Sequence, residues 1–157
     1  MTTSKGVKAE EKFYADITDN AGFREFLSAT GFSLFQNDER LQASGWHNEQ
    51  ILSIDFNNVS VEAGKKYDFF HDSESSVGAA FVGLNGQWSS YTGSVEVISY
   101  QFKKHFKAAF DFTIDAVGEN RTFKFIGGVS LGAEDLSTGS APDKDVFKHL
   151  KKLAGLK

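Results

Sequence analysis

One stretch of the sequence decides the fold: residues 106–116 read Phe106-Lys107-Ala108-Ala109-Phe110-Asp111-Phe112-Thr113-Ile114-Asp115-Ala116. Apolar residues occupy every second position of this stretch. Successive side chains of a β-strand point to opposite faces of the sheet, so the alternation predicts a strand with one buried and one exposed face. A turn at Val117–Asn120 and a second strand at Thr122–Ile126 follow, and together these segments predict an antiparallel β-hairpin.

Further strands are predicted upstream of this hairpin. Ser94–Phe102 is rich in Val, Ile and Tyr, and it predicts a strand that joins the hairpin in a three-stranded meander. About seven to nine short strands at roughly 10-residue spacing predict an all-β protein, either an antiparallel β-sandwich or a flattened barrel. A loop is expected at Gly83–Gly93. The remaining predicted strands are Phe32–Phe35, Leu41–Trp46, Ile51–Phe56, Lys65–Phe70 and Val77–Val82.

A short N-terminal helix is predicted over residues 20–30. Three apolar residues there have the i, i+3, i+4 spacing that places side chains on one face of a helix. Asp19 or Asn20 is a suitable N-cap for this helix, and Gly31 is a typical stop signal. The three apolar residues are Phe23, Phe26 and Leu27.

A second, amphipathic helix is predicted over residues 142–154, near the C-terminus. Ser140 can cap it, and Pro142 lies in the first turn, where a missing N–H is tolerated. Lys148, Lys151 and Lys152 lie toward its C-terminal end, where the helix dipole favours cations. Its apolar face consists of Val146, Phe147, Leu150, Leu153 and Ala154.

The composition indicates one β-rich domain over residues 13–157, preceded by a flexible polar tail at residues 1–12. The chain has 157 residues, which is enough to bury a core without disulfide support. It has no Cys, which excludes a thiol nucleophile, a disulfide framework and Cys-ligated metal sites. The net charge of −4 makes phosphate-driven nucleic-acid binding an unfavourable interpretation. No cofactor is expected.

The sixteen phenylalanines are the one unusual feature of the composition. Most of them fall on alternating positions that the predicted strands turn toward the core, or on the apolar faces of the predicted helices. The excess of Phe therefore indicates packing rather than a binding function. The predicted inward residues of the strands are Phe56, Phe69, Phe106, Phe110, Phe112, Phe123 and Phe125.

No targeting or membrane segment is recognisable in the sequence. Met1–Lys12 is polar and lacks the apolar region of a signal peptide. The longest near-apolar stretch, Val77–Leu84, is far shorter than the roughly 20 residues that a membrane helix needs. A soluble, cytoplasmic protein is therefore expected, with export through a leader missing from this chain as the alternative.

One short motif matches the consensus sequence of a catalytic site. Gly128-Val129-Ser130-Leu131-Gly132 has the Gly-x-Ser-x-Gly pattern of a hydrolase nucleophile elbow. The surrounding pattern is antiparallel β rather than α/β, and the one His downstream of Ser130 is His149, on the polar flank of the predicted C-terminal helix. No catalytic residue is predicted, and a hydrolase using Ser130 stays as an alternative function.

A polar run, His71-Asp72-Ser73-Glu74-Ser75-Ser76, contains oxygen and nitrogen donors that suit a metal ion. It lacks the spacing of an EF-hand loop, and polar residues between two strands are what a β-turn requires. The run is therefore interpreted as a loop, and no metal site is predicted.

Aromatic residues in polar junctions are the better functional signal. Trp46 and His47 follow Gly45, while Trp88 and Tyr91 lie in the Gly- and Ser-rich loop. Such rings among small polar residues can stack on a sugar or contact a peptide. The alternative is that one or both Trp rings fold back and close the end of the core. The candidate ligand-binding residues are Trp46, His47, Trp88 and Tyr91.

The leading functional hypothesis is a non-catalytic binding or interaction module for an unknown small ligand or protein, with carbohydrate as one candidate. A lipocalin-like barrel that encloses an apolar ligand is an alternative, since a Phe-rich inner face can line a cavity. A β-rich domain can also pair with a copy of itself through an edge strand, so a homodimer is a further possibility.

Tyr91-Thr92-Gly93-Ser94-Val95-Glu96-Val97-Ile98, followed by Phe106 to Ile114, carries a resemblance to a known class of domain. Over residues 61–131 the chain resembles small, uncharacterised bacterial β-sandwich domains, in which a glycine-led strand precedes an alternating Phe-rich strand and a closing strand. The resemblance implies a β-sandwich fold and no functional residues.

Overall fold

A computed structural model of the protein describes residues 12–83, 86–116 and 121–136. The predicted helix over 142–154 and the predicted tail up to residue 11 lie outside these ranges. In chain order the strands are β1 (Phe13–Asp19), β2 (Arg24–Ser28), β3 (Gly31–Gln36), β4 (Arg40–His47), β5 (Gln50–Asn57), β6 (Lys66–Asp68), β7 (Phe70–His71), β8 (Ser76–Gly83), β9 (Gly86–Ser90), β10 (Thr92–Gln101), β11 (His105–Ala116) and β12 (Arg121–Gly132).

The strands form two antiparallel sheets. Sheet A has the order β2-β1-β12-β11-β10-β6. Sheet B has the order β3-β4-β5-β8-β7, and β9 also pairs with β8. A single 3₁₀ turn at Ala133–Asp135 follows β12. The predicted antiparallel β-sandwich is confirmed, and within the described ranges the two sheets do not join into a closed barrel.

The hairpin at the centre of sheet A is also confirmed. β11 and β12 pair along their full length, with Phe112 opposite Phe125, and the alternating phenylalanines of both strands are buried. β12 continues to Gly132, six residues beyond the predicted end at Ile126.

The helix predicted over residues 20–30 is wrong, because this segment forms a turn and the edge strand β2. Asp19 does not cap a helix: its carboxylate accepts hydrogen bonds from the backbone N–H groups of Ala21 and Phe23, both at 2.8 Å, and holds a tight turn. β2 can then pair with β1, which buries Leu27 in the core and turns Phe26 onto the outer face. The i, i+3, i+4 spacing therefore does not mark one apolar face, because the adjacent Phe26 and Leu27 lie on opposite faces of β2.

The loop predicted at Gly83–Gly93 is wrong in part, because its middle forms β9. β9 is a polar strand at the edge of sheet B, and Gln87 and Ser89 occupy its solvent-facing positions. Its few apolar residues give little periodic signal, so hydropathy alone indicates a loop. β1 was likewise not predicted, although its residues Phe13, Ala15 and Ile17 alternate and are fully buried.

Phenylalanine rings from the two sheets fill the core between them. Phe81 of sheet B meets Phe125 of sheet A with ring centroids 4.9 Å apart, and Phe56 meets Phe106 at 5.9 Å. All seven strand phenylalanines that the alternation turned inward are buried: Phe56, Phe69, Phe106, Phe110, Phe112, Phe123 and Phe125. In a lipocalin-like barrel these phenylalanine rings would surround a ligand. In this protein they pack against one another.

Candidate functional site

Trp46 and His47 lie at the end of β4, and both are half-buried. The backbone N–H of Thr30 donates a hydrogen bond to the carbonyl of Trp46 at 2.8 Å, and the Thr30 hydroxyl lies 3.4 Å from Nδ1 of His47. The indole of Trp46 lies over Gly31, where a side chain of any size would overlap it. Trp46 therefore covers the backbone of the neighbouring strand rather than standing free.

Trp88 lies on β9 opposite Phe81, so its side chain is on the core-facing side of sheet B. It is half-buried against the core, and its indole N–H lies 3.4 Å from the carbonyl oxygen of Gly83. These contacts show that Trp88 closes the edge of the core. This was the alternative to a role in ligand binding.

Tyr91 stacks on His71, with ring centroids 4.7 Å apart and ring planes at 29°. Its ring lies over Gly78, where a Cβ atom would come within 2.6 Å of it. Tyr91 is 44% exposed. Of the four predicted ligand-binding residues, Tyr91 has the most accessible ring.

The structure does not bring the predicted aromatic residues into one site. Trp88 faces the core, whereas Trp46 and Tyr91 lie on the other face of sheet B. Trp46 lies in the same lateral row as Ile51 and Val82. Val82 is four residues along β8 from Gly78, the residue that the Tyr91 ring covers. Four residues of a strand span about 13 Å, so one small ligand cannot contact both rings.

The loop after β7 has the geometry of a turn. Oδ1 of Asp72 accepts hydrogen bonds from the backbone N–H groups of Glu74 and Ser75, both at 2.9 Å. These bonds hold the pKa of the Asp72 carboxyl below its usual value. Within residues 12–83, 86–116 and 121–136, no group of three or more His, Asp or Glu side chains is placed to hold a metal ion.

Ser130 lies in extended backbone within β12, on the outer face of sheet A opposite Lys107. A nucleophile elbow needs a sharp turn between a strand and a helix, and the motif here is part of a continuous strand. His149, its proposed partner, lies outside the described residues.

A cleft that the sequence did not indicate opens at one end of the sandwich. Its volume is about 300 Å³, and it lies between the β3–β4 turn, the segment after β5 and the β10–β11 turn. The lining residues are Asn37, Asp38, Arg40, Leu41, Val59, Ser60, Val61, Tyr100 and Phe102.

The cleft has two aromatic rings on one side and, on the other, polar side chains that are held by hydrogen bonds. Phe102 is 45% exposed, and burial raises the pKa of the Tyr100 phenol above its ordinary value. On the polar side, Arg40 Nε donates to Asp55 at 3.0 Å, and Asn37 Oδ1 accepts the backbone N–H of Arg40 at 2.8 Å. The polar groups are thus fixed in place before any ligand binds.

Gln36 contacts Tyr100, and its side-chain amide is buried. Its Oε1 accepts the backbone N–H of Lys103 at 2.7 Å, and the Tyr100 hydroxyl lies 3.4 Å from the same oxygen. Its Nε2 is buried and has no hydrogen-bond partner among the described residues. An unpaired buried donor costs about 1–3 kcal/mol, so such atoms are rare and call for an explanation.

Sequence reasoning missed this cleft because Tyr100 and Phe102 belong to the predicted strand Ser94–Phe102, and a strand pattern does not indicate a cleft at its end. The available signal was the charged break immediately after them, where Lys103 takes a left-handed backbone conformation with φ of 61°. An aromatic residue directly before such a turn is placed at the end of the sheet rather than under it.

The fold and the cleft define this chain as a two-sheet antiparallel β protein with an open, aromatic-edged cleft at one end. Searches among protein-family models, curated proteins and solved structures found no match to it. The resemblance to bacterial β-sandwich domains therefore stays a prediction. No helix in the described part of the chain has the length and apolar character needed to span a membrane.

Proposed function

We propose that this chain is a non-catalytic binding or interaction module whose ligand occupies the cleft beside Tyr100 and Phe102. The observation that carries the proposal is the exposure of Phe102 at the edge of a preformed cleft of about 300 Å³. A ring of this size held half in solvent offers apolar contact area at little entropic cost to binding.

The cleft suits a ligand with one ring and polar substituents. Its volume is at the lower end of the roughly 300–1,000 Å³ range of small-molecule pockets. Tyr100 and Phe102 supply faces or edges for stacking, while Asp38 and Ser60 lie on the polar side. A single sugar ring, or one aromatic side chain of a protein partner, meets these requirements.

NMR titration of ¹⁵N-labelled protein tests the proposal with defined probes: the methyl glycosides of glucose, galactose and N-acetylglucosamine, and N-acetyl-tyrosine amide. We expect concentration-dependent shifts of the amides at residues 37–41, 59–61 and 100–103. Phe102→Ala should abolish them. Ile98→Ala is the matched control, because Ile98 is 49% exposed on the outer face of sheet A and does not line the cleft.

Two outcomes would count against the cleft. Shifts confined to residues around His71 and Tyr91, lost in Tyr91→Ala and kept in Phe102→Ala, would move the binding site to that stacked pair. Equal loss of binding in Phe102→Ala and Ile98→Ala would indicate a general effect on the fold.

We propose that the protein is cytoplasmic. We also propose that it forms a homodimer through a sheet edge. Native mass spectrometry of the protein purified from its own host tests the partner proposals directly. A bound mass lost on Phe102→Ala supports the cleft, and a doubled mass independent of that substitution supports the dimer.

A further inference from the structure

A polar side chain occupies a core-facing position at the end of β3. Leu34, two residues before Gln36, belongs to the core, and side chains alternate along a strand, so Gln36 faces the same way. The lateral partner of Gln36 on β4 is Leu41, which is also a core residue. Gln36 is 7% exposed, so its amide is almost completely removed from water.

The carbonyl half of this amide joins the two sheets. Its Oε1 accepts the backbone N–H of Lys103 at 2.7 Å, which ties the end of β3 in sheet B to the β10–β11 turn of sheet A. That turn is itself closed by a hydrogen bond from the Lys104 N–H to the Gln101 carbonyl at 2.9 Å. The bond from Lys103 also fixes the orientation of the Gln36 amide, because the opposite orientation would set two N–H groups against each other.

The NH₂ half of the amide has no matching contact. Nε2 of Gln36 is buried and has no hydrogen-bond partner among the described residues. Leaving a buried donor unpaired costs about 1–3 kcal/mol. A donor held in a fixed direction at that cost indicates that an acceptor reaches it when the protein is at work.

The Gln36 amide lies beside the cleft. Tyr100 lines the cleft, and its hydroxyl lies 3.4 Å from Oε1 of Gln36. The oxygen and nitrogen of an amide are about 2.3 Å apart, so Nε2 lies within about 6 Å of the Tyr100 hydroxyl. Asn37, the next residue of the chain, and Leu41, the lateral partner, line the cleft as well. Gln36 is therefore next to two of the three chain segments that form the cleft.

Tyr100 is held less firmly than Gln36. Its 3.4 Å contact is long for a hydroxyl donor, whose hydrogen bonds are usually about 2.7–2.8 Å, so the contact restrains the ring weakly. Tyr100 is also only half-buried. The short bond from the Lys103 N–H keeps the Gln36 amide in position when the Tyr100 side chain turns.

We propose that Gln36 determines the specificity of the cleft, and that its Nε2 donates a hydrogen bond to a carbonyl oxygen carried by the ring of the ligand. This inference rests on the proposed function, and it narrows the ligand to a ring with an amide substituent, such as an acetamido or carboxamide group. Rotation of the Tyr100 side chain gives this carbonyl access to Nε2.

A neutral carbonyl suits the Gln36 donor better than the other common acceptors do. A hydroxyl brings an O–H donor, which needs an acceptor of its own in a buried position. A carboxylate loses its hydration on burial, and burying an ion costs more than burying a neutral polar group. An amide carbonyl only accepts and carries no charge.

Two matched pairs of probes test the inference by NMR titration of the ¹⁵N-labelled full chain. Benzamide and benzyl alcohol share a phenyl ring, and the methyl glycosides of N-acetylglucosamine and glucose share a sugar ring. In each pair only the first has a carbonyl. The carbonyl member should bind about tenfold more tightly, and it alone should shift the side-chain NH₂ signals of Gln36 downfield. The pair that does so shows whether the cleft takes an aromatic or a sugar ring.

Gln36→Glu removes the donor and keeps an oxygen for the Lys103 N–H. At pH 8, well above the ordinary Glu pKa of about 4.3, the new side chain only accepts, so the preference for the carbonyl probe should disappear. Gln101→Glu is the control, because it makes the same change of charge on an exposed residue of the adjoining turn, and it should keep the preference. A preference that persists in Gln36→Glu would overturn the inference. The Gln36 signals of the unsubstituted protein decide the question without this variant, should it not fold.

The inference and the proposed function fail in different ways. Equal binding of both members of each pair, with shifts around the cleft that Phe102→Ala abolishes, would show that the Gln36 amide serves Lys103 alone and would leave the cleft as the binding site. The absence of shifts at the cleft amides with all four probes would overturn both proposals.

Discussion

Phe112 and Phe125 lie directly opposite each other on β11 and β12, and their rings stack with centroids 4.7 Å apart and planes at 8°. Phe81 from sheet B meets the same Phe125 ring at 62° and 4.9 Å. A cross-strand pair in one sheet is thus joined to the other sheet by a single ring. Aromatic contacts of this kind add about 0.5–1.5 kcal/mol each to the effect of burial.

Phe125→Ala should therefore lower the free energy of unfolding by about 3–5 kcal/mol, because it leaves a cavity where three rings meet. Urea denaturation followed by circular dichroism measures the loss. The control is Ile126→Ala, one residue along β12, whose side chain is on the outer face of sheet A. Its effect should stay within about 0.5 kcal/mol, and a similar loss in both variants would show that the two faces are assigned wrongly.

Asp19 should make stability depend on pH in the acid range. Burial alone would raise its pKa, but hydrogen bonds from the Ala21 N–H and the Arg121 guanidinium outweigh that effect and hold the pKa below the ordinary 3.8. The unfolded state then binds the proton more tightly. The stabilisation is complete above the ordinary pKa and is lost as the pH falls through the lowered value.

Asp19→Asn should accordingly reduce the free energy of unfolding most near neutral pH, and the difference from the unsubstituted protein should shrink below about pH 4. Urea titrations between pH 2 and 7 measure it. Asp111→Asn is the control, because its ion pair with Lys124 is solvent-exposed and such pairs contribute about 0–1 kcal/mol. A difference for Asp19→Asn that is constant over the whole range would rule out the titration.

The sequence allowed the sandwich to be predicted where one face of a strand is wet and the other is buried. Residues 106–116 show this, because Lys107 and Asp111 mark the outer face as clearly as Phe110 marks the inner one. On β5 the alternation still predicts that Phe56 points inward, although Ile51 and Ser53 on its other face are buried as well.

Local patterns also failed where tertiary pairing decided the structure. The spacing of Phe23, Phe26 and Leu27 fits a helix. Residues 24–28 form a strand instead, because they pair with the free edge of β1. The cleft beside Phe102 arises from three turns distant in sequence, which no local window contains. The sequence groups Trp46, Trp88 and Tyr91 as aromatic residues in polar junctions, but their separation depends on which face of sheet B each one occupies.

The glycine pair in β12 should differ sharply in its tolerance of a methyl group. A Cβ atom at Gly127 would overlap the backbone carbonyl of Tyr14 and lie 2.7 Å from the Cα of Ala15 on β1. At Gly128 the nearest atoms are the Tyr14 hydroxyl at 3.0 Å, at the end of a side chain that can move, and the backbone carbonyl oxygen of Ala108 at 3.2 Å, a tight contact but not an overlap. The β1 backbone that a Cβ atom at Gly127 would overlap cannot move aside as the Tyr14 side chain can, because β1 is held by hydrogen bonds to β12 and β2.

Gly127→Ala should therefore cost at least about 1–3 kcal/mol of stability, and Gly128→Ala clearly less. Thermal unfolding of the two variants side by side measures the difference, and each serves as the control for the other. Equal melting temperatures would show that β1 and β12 are not as closely paired as described.

Trp88 and Tyr91, which sequence reasoning grouped together, should separate into a structural and a surface residue. Trp88 packs against the core and its indole lies over Gly86, so Trp88→Ala should cost about 1–3 kcal/mol, less than the loss of a fully buried ring. Tyr91 is 44% exposed and stacks on the exposed His71, so Tyr91→Ala should stay within about 0.5 kcal/mol.

Urea denaturation of both variants measures these effects, and Trp88→Phe is the informative intermediate. It keeps an apolar ring in the same place but removes the N–H that faces the Gly83 carbonyl, so it should recover most of the stability lost in Trp88→Ala. A Trp88→Ala variant as stable as Tyr91→Ala would show that the indole does not close the edge of the core. Trp88 would then return to the set of candidate binding residues.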